Sequence, residues 1–324
     1  MLWTDAAQWS GRRQQCPRGK ELVIAIDWSE QLLRTLLFVP GADERKLRKV
    51  GTFAADVIVI DLEDAVADSE KTAARAITRA AVPTYGDQVV TVRVNALDTG
   101  RLEDDVEAVV CPELAGILVP KIEDRDALRV ADEALARAEQ ANGMARGQVR
   151  IVAILETPVG IARCDEILAN APERTVTSIF GLGDFSVALG VEPTEEGLEL
   201  LYGRSRVIVA TRAAGMVAPV DGPYLKVEDL DGLVADSRRS RALGFQGRVA
   251  VYPPQVEGIH QAFSDLSDDE AASQRRVVES FEEAEAKGIA SIRIDGKFVD
   301  YPIYRLARER LRRFDAYQAS RGES

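Results

Sequence analysis

Histidine is the scarcest informative residue in this chain, at one in 324 residues. His260 alone cannot build a multi-histidine zinc site, and it is a poor basis for a Ser-His-Asp triad. It follows YPPQVEG near a predicted helix start and reads as a packing or surface histidine. Acid–base chemistry therefore falls mainly to carboxylates, Lys, Arg or Tyr. Cysteine is also rare. Cys16, Cys111 and Cys164 are odd in number, far apart and without a CxxC pair. That argues against a disulfide framework and fits a reducing cytoplasm. No apolar run approaches the roughly 20 residues that span a bilayer, and LVIAI near the start is too short for a secretory signal. Positive charge is in the minority, with 41 Lys and Arg against 53 Asp and Glu and a net charge of −12. The chain therefore does not read as a binder of nucleic acid or of an anionic membrane surface. A small anionic ligand remains open, because it needs only a local basic site.

What is present is an ordinary globular composition, 46% hydrophobic and 29% charged, long enough for one barrel or two smaller domains. Short runs rich in Val and Ile alternate with helical patterns. They predict strands at 34–39, 57–62, 89–95, 116–120, 150–156, 178–181, 218–221 and 248–251. Short buried strands alternating with helices indicate parallel βα units. Eight such units predict an α/β fold, a (β/α)8 TIM barrel over 34–263. A doubly wound open sheet is the alternative, but the GxGxxG turn after its first strand is missing. Residues 1–33 lack a clear period and read as an N-terminal extension. Residues 264–324 read as a C-terminal helix–hairpin–helix segment, with the hairpin turning at Asp295-Gly296.

The run VIVIDLED, residues 57–64, poses the sharpest question: four β-branched residues lead directly into three carboxylates, Asp61, Glu63 and Asp64. Either these are solvated at the strand end or something positive faces them. In a barrel, chemistry gathers at the C-terminal strand ends, and polar residues recur there. Period-two alternation on VVTVRVN turns Thr91, Arg93 and Asn95 to the interior, and an arginine at a barrel mouth calls for an anion. Strand four runs into Pro120-Lys121, strand five ends in Glu156, and strand six leads through Gly181 and Gly183 to Asp184. Strands five and six are neighbours, so Glu156 and Asp184 can share one cation. A hard oxygen set of this kind suits Mg²⁺, with Mn²⁺ as the alternative. The glycines would let backbone N–H groups approach a ligand carboxylate.

The blocks RTLLFVPGADERKLRKV, VIVIDLEDAVADSEKTAAR, VTVRVNALDTG, GILVPKIED, ILETPVGI, FGLGDFSVALG, LYGRSRVIVATRAAGM, ALGFQGRVAVYPPQV and IDGKFVDYPIYRLAR occur in this order. Together they resemble the citrate lyase β-subunit-like and malyl-CoA lyase group of the HpcH/HpaI aldolase superfamily, over about residues 34–316. The resemblance implies a trimeric (β/α)8 barrel that uses Mg²⁺ and a coenzyme A thioester. It implies that Glu156 and Asp184 are metal ligands, with Glu63 and Asp64 partnering the metal waters. Arg93 would hold the 2-oxo acid, and Leu182 and Gly183 would meet its carboxylate through the backbone. Arg34 and Lys49 would contact coenzyme A phosphates. Asp300 would be an acid/base group delivered to a neighbouring subunit's site. The implied reaction cleaves or forms a 3-hydroxyacyl-CoA such as (S)-malyl-CoA or (S)-citramalyl-CoA. Variants are a malate synthase or malyl-CoA thioesterase, or a citrate lyase β-subunit working on an acyl-carrier protein. A non-catalytic metabolite-binding barrel would lack a metal ligand or Arg93, and none of these is missing. One departure stands out: Tyr252-Pro253-Pro254-Gln255 replaces the family's His-Pro-Ser/Asn-Gln, near the thioester-binding region.

Overall fold

Eight short apolar runs pair side by side in sequence order and close on themselves in the computed structural model, which describes residues 26–264 and 266–322. The strands are β1 (Thr35–Pro40), β2 (Val57–Asp61), β3 (Val90–Arg93), β4 (Gly116–Val119), β5 (Arg150–Leu155), β6 (Thr175–Phe180), β7 (Val220–Asp221) and β8 (Gly247–Ala250). All pairs are parallel, and β1 closes on β8 through Thr35 opposite Arg248. The helices between them are α1 (Glu44–Val50), α2 (Lys71–Ala81), α3 (Leu102–Val109), α4 (Arg125–Ala141), α5 (Pro158–Ala162), α6 (Cys164–Ala169), α7 (Leu182–Leu189), α8 (Leu198–Ala213) and α9 (Leu230–Leu243). The predicted (β/α)8 barrel is borne out. Most strand ends fall within a residue or two of expectation, and β6 starts three residues early.

Parallel strands covered by helices are buried on both faces, so they read as continuous apolar runs. The inward face carries Leu36, Val57, Val59, Leu118, Val152, Ile154, Ile179, Val220 and Val249, packed as one cluster. Truncating such a side chain to Ala costs roughly 2–5 kcal/mol. The same period of two aims Asp61 and Arg93, directly opposite one another in register, into the barrel at its C-terminal end. At the other end, Trp28 and Leu33 join the interior cluster. The segment from 26 to 33, expected to lie outside the barrel pattern, therefore packs against the barrel core.

The chain divides into two compact units between Ile259 and His260, inside α10 (Gln255–Ser264). The second unit holds α11 (Asp268–Glu285), the antiparallel pair β9 (Ser291–Ile294) and β10 (Lys297–Asp300), and α12 (Tyr301–Gly322). Ser267 and Glu270 cap α11 reciprocally, a capping box. The hairpin turns where predicted: Asp295 and Gly296 both have positive φ, 48° and 77°, as a two-residue hairpin turn of the right twist requires. Phe281 packs against the rings of Tyr301 and Tyr304 at 5.0 and 4.9 Å.

Cys111 and Cys164 are free and buried; Cys16 lies outside the described residues. His260 is buried on α10. Among the described residues no helix is long and apolar enough to cross a membrane.

Candidate active site at the barrel mouth

The carboxylates that end β2 have three different surroundings. Asp61 is fully engaged. Its two oxygens accept Nε and Nη2 of Arg93 at 2.7 Å each, and the backbone N–H groups of Glu63 and Ala65 at 2.9 and 3.0 Å. It clamps the arginine and pins the following loop. Lys71, buried on α2, fixes the same loop by donating Nζ to the carbonyls of Leu62 and Glu63 at 2.8 and 2.6 Å. Glu63 is buried and reaches Arg93 Nη1 at 2.9 Å, while the half-exposed Asp64 lies 3.4 Å from the same nitrogen. Phe38 of β1 lies under the guanidinium, 5.3 Å from ring centre to Cζ, a cation–π contact. Burial works against Arg93's charge, but Asp61, Glu63 and Asp64 outweigh it and hold its pKa above the ordinary value. Its Nη1 edge meets Glu63 and Asp64.

Lys121, immediately after β4, closes the other side. Its Nζ lies 2.8 Å from Glu63 Oε1, 3.5 Å from Asp64 Oδ1 and 3.6 Å from Asp184 Oδ2. Its backbone N–H donates to Glu156 Oε1 at 2.9 Å. Glu156 follows β5 and is held rigidly, because Thr157 beside it caps α5 by accepting the Gly160 N–H at 3.0 Å. A Cβ on Gly181 would lie 2.2 Å from the Glu156 Cβ. Gly181 is therefore small to admit Glu156, rather than a ligand. Burial first, then the charges of Glu63 and Asp184, push the Glu156 carboxyl up to about 8. Burial raises Glu63 as well, against the pull of Arg93 and Lys121.

Asp184 sits in the first turn of α7, and its Oδ2 is buried without a hydrogen-bond donor. The first N–H groups of a helix have no partner within it, and those of Leu182 and Gly183 open α7. A side chain on Gly222 would come within 2.9 Å of the Leu182 nitrogen, whereas one on Gly183 would meet nothing within 4 Å. Gly222 is small because it packs against the Phe180 carbonyl and Leu182, and Gly183 faces open space.

Five carboxylates, Asp61, Glu63, Asp64, Glu156 and Asp184, share this mouth with two cations, Arg93 and Lys121. Negative charge in such excess, much of it buried, invites a further cation. Among the described residues no three Asp, Glu, His or Cys groups converge closely enough to cage a metal ion. What fits is an open site of two carboxylates, Glu156 and Asp184, the latter with a buried oxygen lacking a donor, with the remaining positions left to water and other oxygens, as Mg²⁺ accepts.

The sequence profile of the HpcH/HpaI aldolase/citrate lyase family matches residues 34–253. The chain belongs to that family. Within it, the chain is 32% identical to the citrate lyase subunit β of Leuconostoc mesenteroides subsp. cremoris, over 85% of this chain and 91% of that one. It is 33% identical to the (3S)-malyl-CoA thioesterase of Cereibacter sphaeroides, over 88% and 96%. Among solved structures it is similar to CitE from Mycobacterium tuberculosis in complex with magnesium, acetoacetate and coenzyme A. That likeness has a TM-score of 0.70 and 26% identity, covering 88% of this chain and 99% of that one.

Other predicted residues lie elsewhere. Arg34 precedes β1 at the N-terminal end of the barrel, where it is buried and paired with Asp56 through Nε and Nη2 at 2.9 and 2.8 Å. It is remote from the mouth, and its guanidinium is paired with Asp56. Lys49 is half-buried in the last turn of α1, where a cation suits the helix dipole. Asn95 does not point into the barrel as expected. β3 ends at Arg93, and the Asn95 amide instead donates to Leu62 O and to Asp105 of α3 at 3.0 and 2.6 Å. Asp300 ends β10 and accepts the Ile303 N–H at 3.3 Å at the start of α12. Reasoning from sequence gave no role to Asp61 or Lys121; their place at strand ends was the available signal.

Proposed function

We propose that this protein is a Mg²⁺-dependent carbon–carbon lyase acting on a 3-hydroxyacyl-CoA such as (S)-malyl-CoA or (S)-citramalyl-CoA. The products are acetyl-CoA and glyoxylate or pyruvate, and the reverse condensation uses the same groups. The observation that carries the reading is the surplus of carboxylates over cations at the mouth, with one buried Asp184 oxygen lacking a donor. Glu156 and Asp184 would hold Mg²⁺ together with water and the substrate's oxygens. Bound Mg²⁺ supplies Lewis-acid stabilisation of negative charge on the 2-oxo-acid oxygens.

The protein's own groups do the rest. The N–H groups of Leu182 and Gly183 bind the substrate carboxylate at the start of α7. Arg93, fixed on two nitrogens by Asp61, presents Nη1 to the oxygen that gathers charge, and fixed donors of this kind are usually the largest source of rate. Glu63 and Asp64 orient water and the Arg93 edge. In the cleavage direction the hydroxyl proton passes to the water that Glu63 and Asp64 orient, the O–H electrons form the carbonyl of the 2-oxo acid, and the carbon–carbon pair passes to the acetyl-CoA carbon. Asp300 donates the proton that quenches this enolate, arriving from a neighbouring copy in a homo-oligomer, most simply a trimer. A thioesterase outcome is the second reading, favoured by the 33% identity to the (3S)-malyl-CoA thioesterase.

Incubating the protein with Mg²⁺ and each CoA ester, with and without EDTA, tests both. EDTA-sensitive acetyl-CoA matched by glyoxylate or pyruvate is the expected result. Free CoA without a 2-oxo acid selects hydrolysis. Neither product from either ester removes both readings for these two substrates.

A further inference from the structure

Lys121 has a backbone that lysine rarely adopts. Its φ is +52°, and the only other non-glycine residue with positive φ among those described is Asp295 in the hairpin turn. A left-handed conformation costs a side-chain-bearing residue on the order of 1 kcal/mol or more and persists where the surroundings impose it. Asp295 sits in a turn that requires that conformation. Lys121 sits between a strand end and the acidic mouth, and the conformation sends its two polar ends to opposite walls of the site. The backbone N–H goes to Glu156 at 2.9 Å, and the ammonium goes to Glu63 at 2.8 Å. The same ammonium lies 3.6 Å from Asp184 Oδ2, the buried oxygen that has no hydrogen-bond donor. One residue thus touches both carboxylates assigned to the cation, along with Glu63 between them.

We infer that Lys121 is a tethered counter-cation of the metal site, which holds its carboxylates together before Mg²⁺ arrives and sets how tightly Mg²⁺ binds. This rests on the metal reading above. An ammonium this close to Asp184 repels an entering divalent ion and must draw back toward Glu63 when the ion binds. Either way, its charge weakens Mg²⁺ binding and favours release. Lys121 is therefore a positioning residue, acting through Glu63, Glu156 and Asp184.

The experiment uses the full-length chain stripped with EDTA. Mg²⁺ is titrated calorimetrically into wild type, Lys121→Met, Lys121→Gly and Lys121→Arg, and unfolding of each metal-free form is followed by heat. Lys121→Gly accepts the positive φ without strain, so it reports lost charge even where Lys121→Met folds poorly. Loss of one nearby positive charge should tighten Mg²⁺ binding on the order of tenfold in both neutral variants. It should also lower the metal-free Tm of Lys121→Met by roughly 2–4 °C. Lys121→Arg should stay within about threefold of wild type in Mg²⁺ affinity. Wild type that binds Mg²⁺, with neutral variants that bind it equally or more weakly, overturns the counter-cation while leaving the metal reading intact. Absence of Mg²⁺ binding in all four proteins overturns both.

Discussion

On the flank of the barrel, two buried arginines meet two aspartates and a third, the more exposed Arg239, reaches Asp236 at 3.2 Å; at its mouth, two cations meet five carboxylates. The two buried arginines and their aspartates lie between β7, β8, α8 and α9. Arg248 donates Nη2 to Asp221 at 2.6 Å and also reaches Asp236, while Arg204 lies 2.9 and 3.1 Å from the same two aspartates. Burial alone would raise Asp236, but Arg248 and Arg204 overcome it and hold its carboxyl down at about 2. At the mouth the same competition ends the other way, and Glu156 is pushed up to about 8. On the flank each carboxylate meets arginine at close range, although Arg248 donates only through Nη2 and its Nε and Nη1 are buried without an acceptor. Unbalanced charge leaves room for a cation, and on the proposed function it is where the cation and substrate would enter.

The comparison breaks most visibly on the flank. Asp236→Ala leaves two buried guanidiniums short of a carboxylate and should cost about 3–5 kcal/mol in chemical denaturation. A loss below about 1 kcal/mol would mean that the cluster is not structural. At the mouth the effect should move from stability to rate. Arg93→Gln should lower kcat/KM for the CoA ester about 10²–10³-fold while the chain remains folded. Steady-state kinetics with circular dichroism on the same sample separates the two. Asp300→Asn keeps a competent cap for α12 and removes an acid, so activity should fall about 10²-fold with little change in Tm. If the residue serves a neighbouring copy, co-refolding Asp300→Asn with Arg93→Gln should restore part of the activity. Unmixed controls should not recover, and failure to complement would confine Asp300 to its own chain or to capping.

The barrel was legible because its strands are β-branched runs buried on both faces, and eight of them alternate with helices. Glu156 and Asp184 were legible as candidates because they close such runs at neighbouring strands. Arg34 precedes a strand, and the N-terminal end of a barrel strand concerns stability rather than chemistry. Asn95 was misplaced because strict alternation was carried two residues beyond the point where β3 stops pairing. Lys121 was marked only by its place beyond a strand end. Its role depends on a left-handed φ that nothing in Pro120-Lys121-Ile122 announces, and on carboxylates that lie far away in sequence. Asp61 was visible as a charge but not as a clamp, since its register against Arg93 emerges only when β2 and β3 pair.

The smallest effect sharpens the contrast through pH. Glu156 has a folded pKa of about 8 against an ordinary 4.5. The native state therefore binds its proton more tightly than the unfolded chain. Its contribution to stability is fully present below 4.5 and is lost as pH rises through about 8. Asp236 runs in the opposite sense. Its pKa is lowered from 3.8 to about 2, so its contribution is present above 3.8 and is lost as pH falls through about 2. Metal-free protein should therefore lose Tm between pH 5 and 8, in a window centred roughly between the two Glu156 values. Glu156→Gln, which carries no titrating proton, should flatten that decline. Mg²⁺ should offset it most at the alkaline end, because the metal binds the ionised carboxylate that the empty site disfavours. Differential scanning fluorimetry across this range, with EDTA or with Mg²⁺, reads all three. A decline that survives Glu156→Gln unchanged would place its origin outside Glu156, and Glu63, whose carboxyl burial also raises, is the next mouth group to substitute.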